Sequence, residues 1–361
     1  MSARLSRTAY FTRKFVIWGA VGLVAYVILY GTYKVALNAY QNREKAPPPP
    51  EVLFGELPYP SFPEQDPNIQ FNYKLETISG GLPTDIPDRA NVYINQLYQP
   101  NLLSYDRAQK LAGELQFVDK GIPVDPPVYR WRIVDGIAGL LEMNIYQLKF
   151  DMIRDWQRNE RVYVTTNRQV LTEQQVFDLA VAPLLATKRW PKEWLEGQHG
   201  YLYYKYVNGQ LVRVDHLSKA DFVQVNFKRA DLDEMKFVSV DPIQPVVWVL
   251  VSQNRREVVE IHYNYQNIDE DTFTDYPVEP VAKVWNALQN NQAYIAYMGG
   301  YSPGDEVTIR HFDLAYFLNY EDELFTQPVY VIRGDRDFTA YYPAVDQRLL
   351  TREVVSSEST Q

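Results

Sequence analysis

The chain has 361 residues, of which 46% are hydrophobic, and a formal net charge of −9. This apolar content suffices for a sizeable core and excludes a disordered tether. The lack of cysteine excludes disulfides, cysteine-ligated zinc, iron–sulfur clusters and thiol nucleophiles. Residues 1–45 hold seven Lys/Arg and one acid, so they carry +6 and the remainder carries −15. A body this acidic is a poor ligand for nucleic acid.

The first element in chain order is an apolar stretch. Residues 15–33 contain no charged side chain, and residues 34–37 extend the segment. About 20 apolar residues cross the hydrocarbon core of a bilayer as a helix. The sequence therefore predicts a single-pass transmembrane helix at 15–37, acting as an uncleaved signal anchor behind a basic cytoplasmic tail at 1–14. A cleaved signal peptide is the alternative, although its apolar region is usually shorter.

Charge on the two sides of this stretch predicts its orientation. Four Lys/Arg precede it and three follow it, which favours a cytoplasmic N-terminus and an extracytoplasmic body in the cell membrane. Residues 38–66 include four consecutive prolines and are typical of a semi-rigid linker. At the other end, residues 347–361 are rich in Ser, Glu and Thr and are predicted to be disordered.

Three helices are predicted in the body. Ser104–Gln116 has apolar residues at helical spacing. Thr172–Leu185 begins with a capping box that involves Gln175. Val278–Gln289 has one apolar face that includes Trp285, which we expect to be a core residue.

Strand signals are stronger than helix signals. Asn208-Gly209 separates two Tyr- and Val-rich runs, residues 201–207 and 210–215, and predicts a hairpin because a type I′ turn needs positive φ at both central residues. Residues 258–266 alternate between apolar and polar. Residues 246–251 are continuously apolar and are predicted to form a central strand.

Helices followed by strands along the chain indicate an α+β protein. The predicted class is an N-terminal transmembrane helix followed by helix-on-antiparallel-sheet modules. Three such modules are expected, at residues 67–166, 167–275 and 276–346.

One sequence motif resembles a catalytic site. Gly300-Tyr301-Ser302-Pro303-Gly304 matches the Gly-x-Ser-x-Gly nucleophile elbow. An elbow lies between a strand and a helix, but the sequence after it, from Val307 onward, predicts a strand. The partners that follow in hydrolase order, Asp305 or Glu306 and then His311, are too close in sequence to form a triad across a sheet. The pattern favours a hairpin loop, and a cell-envelope hydrolase that uses Ser302 is the alternative.

Other polar residues give weaker signals. The four histidines are far apart, and none belongs to a helical metal-binding motif. The acidic run 269–271 lacks the glycine that the sharp turn of a calcium loop requires. Asp335 and Asp337 lie in one turn, whereas paired catalytic carboxylates flank a cleft. We therefore predict no enzyme, no cofactor, and no catalytic, cofactor-binding or metal site.

Packing motifs in the last third resemble a known family. They are Tyr276-Pro277, Val284-Trp285-Asn286-Ala287-Leu288, Ala293-Tyr294-Ile295-Ala296, Asp313-Leu314-Ala315-Tyr316-Phe317, Gln327-Pro328-Val329-Tyr330-Val331-Ile332-Arg333-Gly334 and Ala340-Tyr341-Tyr342-Pro343-Ala344-Val345. This series resembles the end of extracytoplasmic YycH/YycI-type regulators and related PepSY-like bacterial proteins. Tyr129-Arg130-Trp131 and Leu171–Gln175 are also similar. The resemblance implies a fold, an N-terminal anchor, an outer-face location and a part in controlling a sensor kinase or envelope enzyme.

These observations together predict a membrane-anchored, extracytoplasmic binding or regulatory protein without enzymatic activity. The expected partners are the lipid bilayer, through residues 15–37, and a membrane or cell-wall protein. Nucleic acid is not an expected partner. A structural envelope protein is a further alternative, and the oligomeric state is left open.

Overall fold

The computed structural model describes residues 51–133, 138–158, 160–164, 170–194 and 198–351, together with Trp18, Leu23, Tyr26 and residues 29–34. The chain divides into two units, Met1–Pro49 and Pro50–Gln361. In the first unit, residues 29–34 are helical. The second unit contains all the elements named below.

The described part of the second unit contains twenty strands and four α-helices. The helices are α1 (Ser104–Glu114), α2 (Glu160–Tyr163), α3 (Glu173–Ala186) and α4 (Val281–Gln289). The strands are β1 (Leu57–Pro58), β2 (Asn72–Leu75), β3 (Arg89–Asn95), β4 (Ile122–Asp125), β5 (Val128–Ile133), β6 (Gly139–Asn144), β7 (Phe150–Arg154), β8 (His199–Val207), β9 (Gln210–Val214), β10 (Phe222–Phe227), β11 (Lys236–Ser239), β12 (Val247–Ser252), β13 (Glu257–Tyr263), β14 (Ile268–Pro277), β15 (Tyr294–Tyr297), β16 (Glu306–Leu318), β17 (Phe325–Thr326), β18 (Pro328–Gly334), β19 (Thr339–Pro343) and β20 (Leu350–Thr351).

The predicted fold class is wrong. The structure is 40% strand and 19% helix, so the protein is mostly β. The three predicted helices exist, but they are short elements beside much larger sheets. The many tyrosines and β-branched residues favour pleated surfaces. The module boundaries at 166/167 and 275/276 stay a prediction, and the nine-stranded sheet takes strands from both sides of the first boundary.

The predicted transmembrane helix, and with it the single-pass signal anchor, is also wrong. Within the described residues, no helix is long and apolar enough to cross a membrane. Most of the predicted span at 15–37 lies outside those residues.

The largest sheet is antiparallel and has nine strands, in the order β4-β5-β6-β7-β13-β12-β10-β8-β9. The apolar strand β12 lies between β13 and β10, which confirms the central strand predicted at 246–251. Helix α3 packs on β10, β12 and β13. The predicted capping box is present: Gln175 N donates to Thr172 Oγ1 (3.2 Å) and Thr172 N donates to Gln175 Oε1 (3.0 Å).

The hairpin predicted at Asn208-Gly209 joins the last two strands of this sheet. Val207 pairs with Gln210, and φ is 52° at Asn208 and 88° at Gly209. Only a residue that tolerates the left-handed region fits either position, which is why this dipeptide marks the turn so clearly.

The second sheet has six strands, in the order β11-β16-β18-β19-β15, with β2 also paired to β16. Both β2 and β11 run parallel to β16, β2 along residues 306–309 and β11 along residues 315–318. Since β18 occupies the other edge of β16, the two short strands share one edge. Helix α4 packs on one face of this sheet, through Val284 and Leu288.

Two small sheets complete the unit. Strands β14, β3 and β17 form a three-stranded antiparallel sheet. Strand β1 pairs in parallel with β20, with Leu57 beside Leu350 and Pro58 beside Thr351. The described body is therefore closed by a contact between its first and last strands.

Trp285 lies on the sheet-facing side of α4, as its spacing predicted, but it is only partly buried. Its ring contacts Phe312 edge-on at a centroid distance of 6.3 Å. Leu314 packs against the same cluster, whereas Tyr294 and Val329 belong to the opposite face of the sheet. Trp285 covers the rim of this core, and Leu288 fills its interior.

Trp285→Ala should lower the free energy of unfolding of the Pro50–Gln361 unit by roughly 1–3 kcal/mol, less than a fully buried tryptophan would. Leu288→Ala is the control, with an expected loss of roughly 2–5 kcal/mol because Leu288 is fully enclosed. Urea denaturation of both variants measures the difference. A larger loss for Trp285→Ala than for Leu288→Ala would contradict this assignment.

Candidate functional site

A cleft of about 690 Å³ lies between the nine-stranded and the six-stranded sheet. Its volume is typical of ligand sites, which span about 300–1,000 Å³. The nine-stranded side contributes residues at the ends of β10 and β13 and on β9. The six-stranded side contributes β11 and the face opposite α4, including Val331 and Tyr341.

The cleft is cationic in a protein of net negative charge. Its lining contains six Lys/Arg, one histidine and two acids: Arg213, Lys228, Arg229, Lys236, Arg310, Arg333, His311, Asp231 and Asp337. Three of the arginines are neutralised by carboxylates outside the lining. Arg229 pairs with Glu193 and Glu270, Arg310 with Glu76 and Asp335, and Arg333 with Asp313; these are local ion pairs.

The other three cations are available to a ligand. Arg213, Lys228 and Lys236 are exposed. Across the part of the chain that the structure describes, none of the three has a carboxylate within ion-pair distance. Cations in a concave site raise the local concentration of anions. The cleft therefore has three cations without an ion-pair partner, against the two lining acids Asp231 and Asp337.

Arg229 forms part of the wall and is not free to bind. Its side chain is 5% exposed, and Nη1 donates to the carbonyl oxygen of Gln266 at 2.8 Å. The guanidinium lies over the rings of Phe237 and Tyr265, 5.0 and 5.5 Å from their centroids. These contacts fix the start of the segment that leads from β10 to β11, because a buried arginine with this many partners has one arrangement.

A tight turn ends the same segment just before β11. Leu232 and Met235 exchange backbone hydrogen bonds of 3.0 and 2.9 Å. Between them, Asp233 and Glu234 have φ values of 51° and 63°. Aspartate enters the left-handed region readily, whereas glutamate there is strained and persists where surrounding contacts hold the turn.

Asp233 supplies that holding contact, which we call the Asp233 clamp. Its Oδ2 accepts hydrogen bonds from the hydroxyls of Tyr93 (2.7 Å) and Tyr316 (2.8 Å), and from Asn91 Nδ2 (2.9 Å). Tyr93 is on β3 and Tyr316 on β16, so one carboxylate oxygen joins the turn to two sheets. Burial, followed by the hydrogen bond to Asp233, raises the pKa of Tyr93 to about 12.

Strand β11 follows the clamp and forms an edge of the six-stranded sheet. Its four residues line the cleft, and β16 is the strand that pairs with it. Phe237 points into the main core, where it packs on Tyr316. Val238 points to the opposite face, beside Val331 and Tyr341. This alternation places Lys236 on the same face as Val238.

The residues singled out from sequence lie mostly elsewhere. Ser302 is exposed in the loop between β15 and β16, where its backbone N donates to Asp305 Oδ2 at 2.8 Å. Strand β16 follows this loop, so the strand-to-helix geometry of a nucleophile elbow is missing there. In the described residues, no hydrogen bond joins the Ser302 hydroxyl to a histidine.

The structure does not bring the histidines and the paired acids together in one site. His311 lines the cleft, whereas His262 bonds to Asp151 and stacks on Trp248 outside it. Asp335 accepts two hydrogen bonds from Arg310, of 2.8 and 2.9 Å. These are structural pairs. Within the described ranges, no group of three His, Asp or Glu side chains is placed to hold a metal ion.

The cleft cations were missed by sequence reasoning. Residues 228–236 contain three cations, Lys228, Arg229 and Lys236, and three acids, so the segment has no net charge. Arg213 is distant in sequence and joins the group only through the fold. No local pattern identifies this site.

Comparison with known proteins assigns no family. No protein-family model and no curated protein matches the chain. The crystal structure of an uncharacterized protein from Eubacterium rectale ATCC 33656, at 1.45 Å resolution, is similar at 11% identity and a TM-score of 0.30, over 80% of this chain and 85% of that chain. This distant likeness carries no argument. The resemblance to YycH/YycI-type and PepSY-like regulators stays a prediction.

Asp233→Ala should lower the free energy of unfolding by roughly 1–3 kcal/mol, because two largely buried tyrosine hydroxyls lose their acceptor. Chemical denaturation of the Pro50–Gln361 unit measures the loss.

The control adds Tyr93→Phe and Tyr316→Phe to the Asp233→Ala variant. Removing donors and acceptor together leaves no unpaired hydroxyl, so the triple variant should recover part of the lost stability. If the triple variant is less stable than Asp233→Ala alone, the hydrogen bonds are not what holds this turn.

Proposed function

We propose that this protein is a non-enzymatic binding protein that takes an anionic ligand into the cleft between its two large sheets. The observation that carries the proposal is the exposed cation group Arg213, Lys228 and Lys236, which has no carboxylate within ion-pair distance among the described residues and outnumbers the two acids of the lining, Asp231 and Asp337. In an acidic protein, such a group in a concave site favours anions of complementary charge.

The composition of the wall supports binding over catalysis. Aromatic side chains including Trp194, Phe227 and Tyr265 line the nine-stranded side. Trp194 stacks on Phe227 with ring centroids 5.5 Å apart, which gives a rigid apolar surface. An apolar wall with a few placed charges is the usual chemistry of a binding site. A regulatory role and an extracytoplasmic location stay predictions.

Lys228→Glu with Lys236→Glu should weaken the binding of an anionic probe by roughly tenfold or more, because two attractive charges become repulsive. The probes are a fluorescein-labelled acidic hexapeptide, with alternating Glu and Thr, and labelled tetragalacturonate. Fluorescence polarisation measures both, at low and at physiological ionic strength. Binding to the parent should weaken as salt rises, because the cations are exposed.

The matched control is Lys110→Glu with Lys120→Glu, which changes the net charge by the same amount at exposed positions outside the cleft. The control should bind as the parent does. Equal weakening by both double variants, or no binding of either probe to the parent, would overturn the proposal.

A further inference from the structure

We infer that the ligand is an acidic peptide that binds as an extended strand against the free edge of β11, a conclusion that rests on the proposed function. An edge strand presents a row of backbone donors and acceptors that another chain can pair with. Peptide recognition by strand addition uses such an edge for affinity and nearby side chains for specificity. β11 combines both features within the cleft.

The edge of β11 faces the cleft. All four residues from Lys236 to Ser239 line it, which a strand covered on both edges would not do. β16 occupies one edge, and in the described part of the chain no backbone hydrogen bond connects residues 236–239 to another strand. A ligand strand placed here would extend the six-stranded sheet by one strand.

The part of β11 that can pair with an added strand has a defined length. Ser239 Oγ lies 2.7 Å from the carbonyl oxygens of both Asp241 and Gln244, so its one hydroxyl hydrogen can be donated to either, and this contact closes a turn directly after β11. The Asp233 clamp fixes the other end. At about 3.3 Å per residue, the four residues between these points offer a pairing length of about 13 Å. A bound segment of four to six residues fits this edge.

Charge complementarity selects acidic peptides. Lys236 projects from β11 itself, so an acidic side chain on the same face of an added strand would lie beside it, as opposite charges do in cross-strand pairs. Arg213 and Lys228 extend the positive charge along the nine-stranded side of the cleft. A short, lysine-bearing edge is also a common protection against aggregation, but protection alone does not require a lined cleft with cations on both sides.

Backbone pairing is tested with two N-methylated versions of the Glu/Thr hexapeptide. One carries methyl groups on the odd-numbered amides and the other on the even-numbered amides, so both have the same charge and the same number of methyl groups. In a strand, alternate amides point to opposite edges. One methylated peptide should therefore lose binding to the parent protein by tenfold or more, and the other should bind nearly as the unmethylated peptide does.

The remaining outcomes separate this inference from the proposed function. If both methylated peptides bind as well as the unmethylated one, strand pairing is wrong while anion binding stands. If tetragalacturonate binds and the peptide does not, the ligand is a different anion and the cleft function stands. If neither binds, both proposals fall.

A charge exchange supplies a second measurement that does not depend on methylation. The Lys236→Glu variant should no longer bind the Glu/Thr hexapeptide, and it should bind the corresponding Lys/Thr hexapeptide, which the parent does not. A variant that has the parent's thermal stability and still binds the Glu/Thr hexapeptide as tightly as the parent would contradict a role for Lys236 beside the ligand.

Discussion

The interaction on which the candidate site depends is the pair of hydrogen bonds from Tyr93 and Tyr316 to one oxygen of Asp233. It ties the three-stranded sheet, the six-stranded sheet and the turn before β11 together at one point. Because Asp233 and Glu234 are in the left-handed region, the turn needs an external contact of this kind. With the turn held, β11 is directed along β16 and its free edge is presented to the cleft.

Arg229 plays the corresponding role on the other wall. Its guanidinium lies over Phe237 and Tyr265 while pairing with two carboxylates, so one cation serves packing and charge balance together. The cleft thus contains two kinds of cation. Arginines held in ion pairs, of which Arg229 is buried, form part of its walls, whereas the exposed Arg213, Lys228 and Lys236 have no ion-pair partner and outnumber the two acids of the lining. The shape of the cleft and its attraction for an anionic ligand therefore depend on different residues, and substitutions can change one without the other.

The sequence allowed local structure to be predicted, and local structure only. The capping box at Thr172 and the turn at Asn208-Gly209 depend on contacts between near neighbours, and both were predicted with their bounds nearly correct. Pairings such as that of β7 with β13 join residues over 100 positions apart, and no neighbouring residues specify them. The cleft could not be predicted from sequence for the same reason, since Arg213, Lys236 and Arg333 come together only after those strand pairings form.

The parallel pairing of β1 with β20 has a consequence for biosynthesis. Leu57 is fully buried in a cluster that includes Val345 and packs against Leu350, near the other end of the described body. During translation, residues 345–351 must leave the ribosome before Leu57 can contact Val345 and Leu350 and before β1 can pair with β20. Until then, Leu57 has only its earlier partners in the cluster, Val92 and Tyr276, and the backbone of β1 stays unpaired, so this contact is among the last that the described body can form.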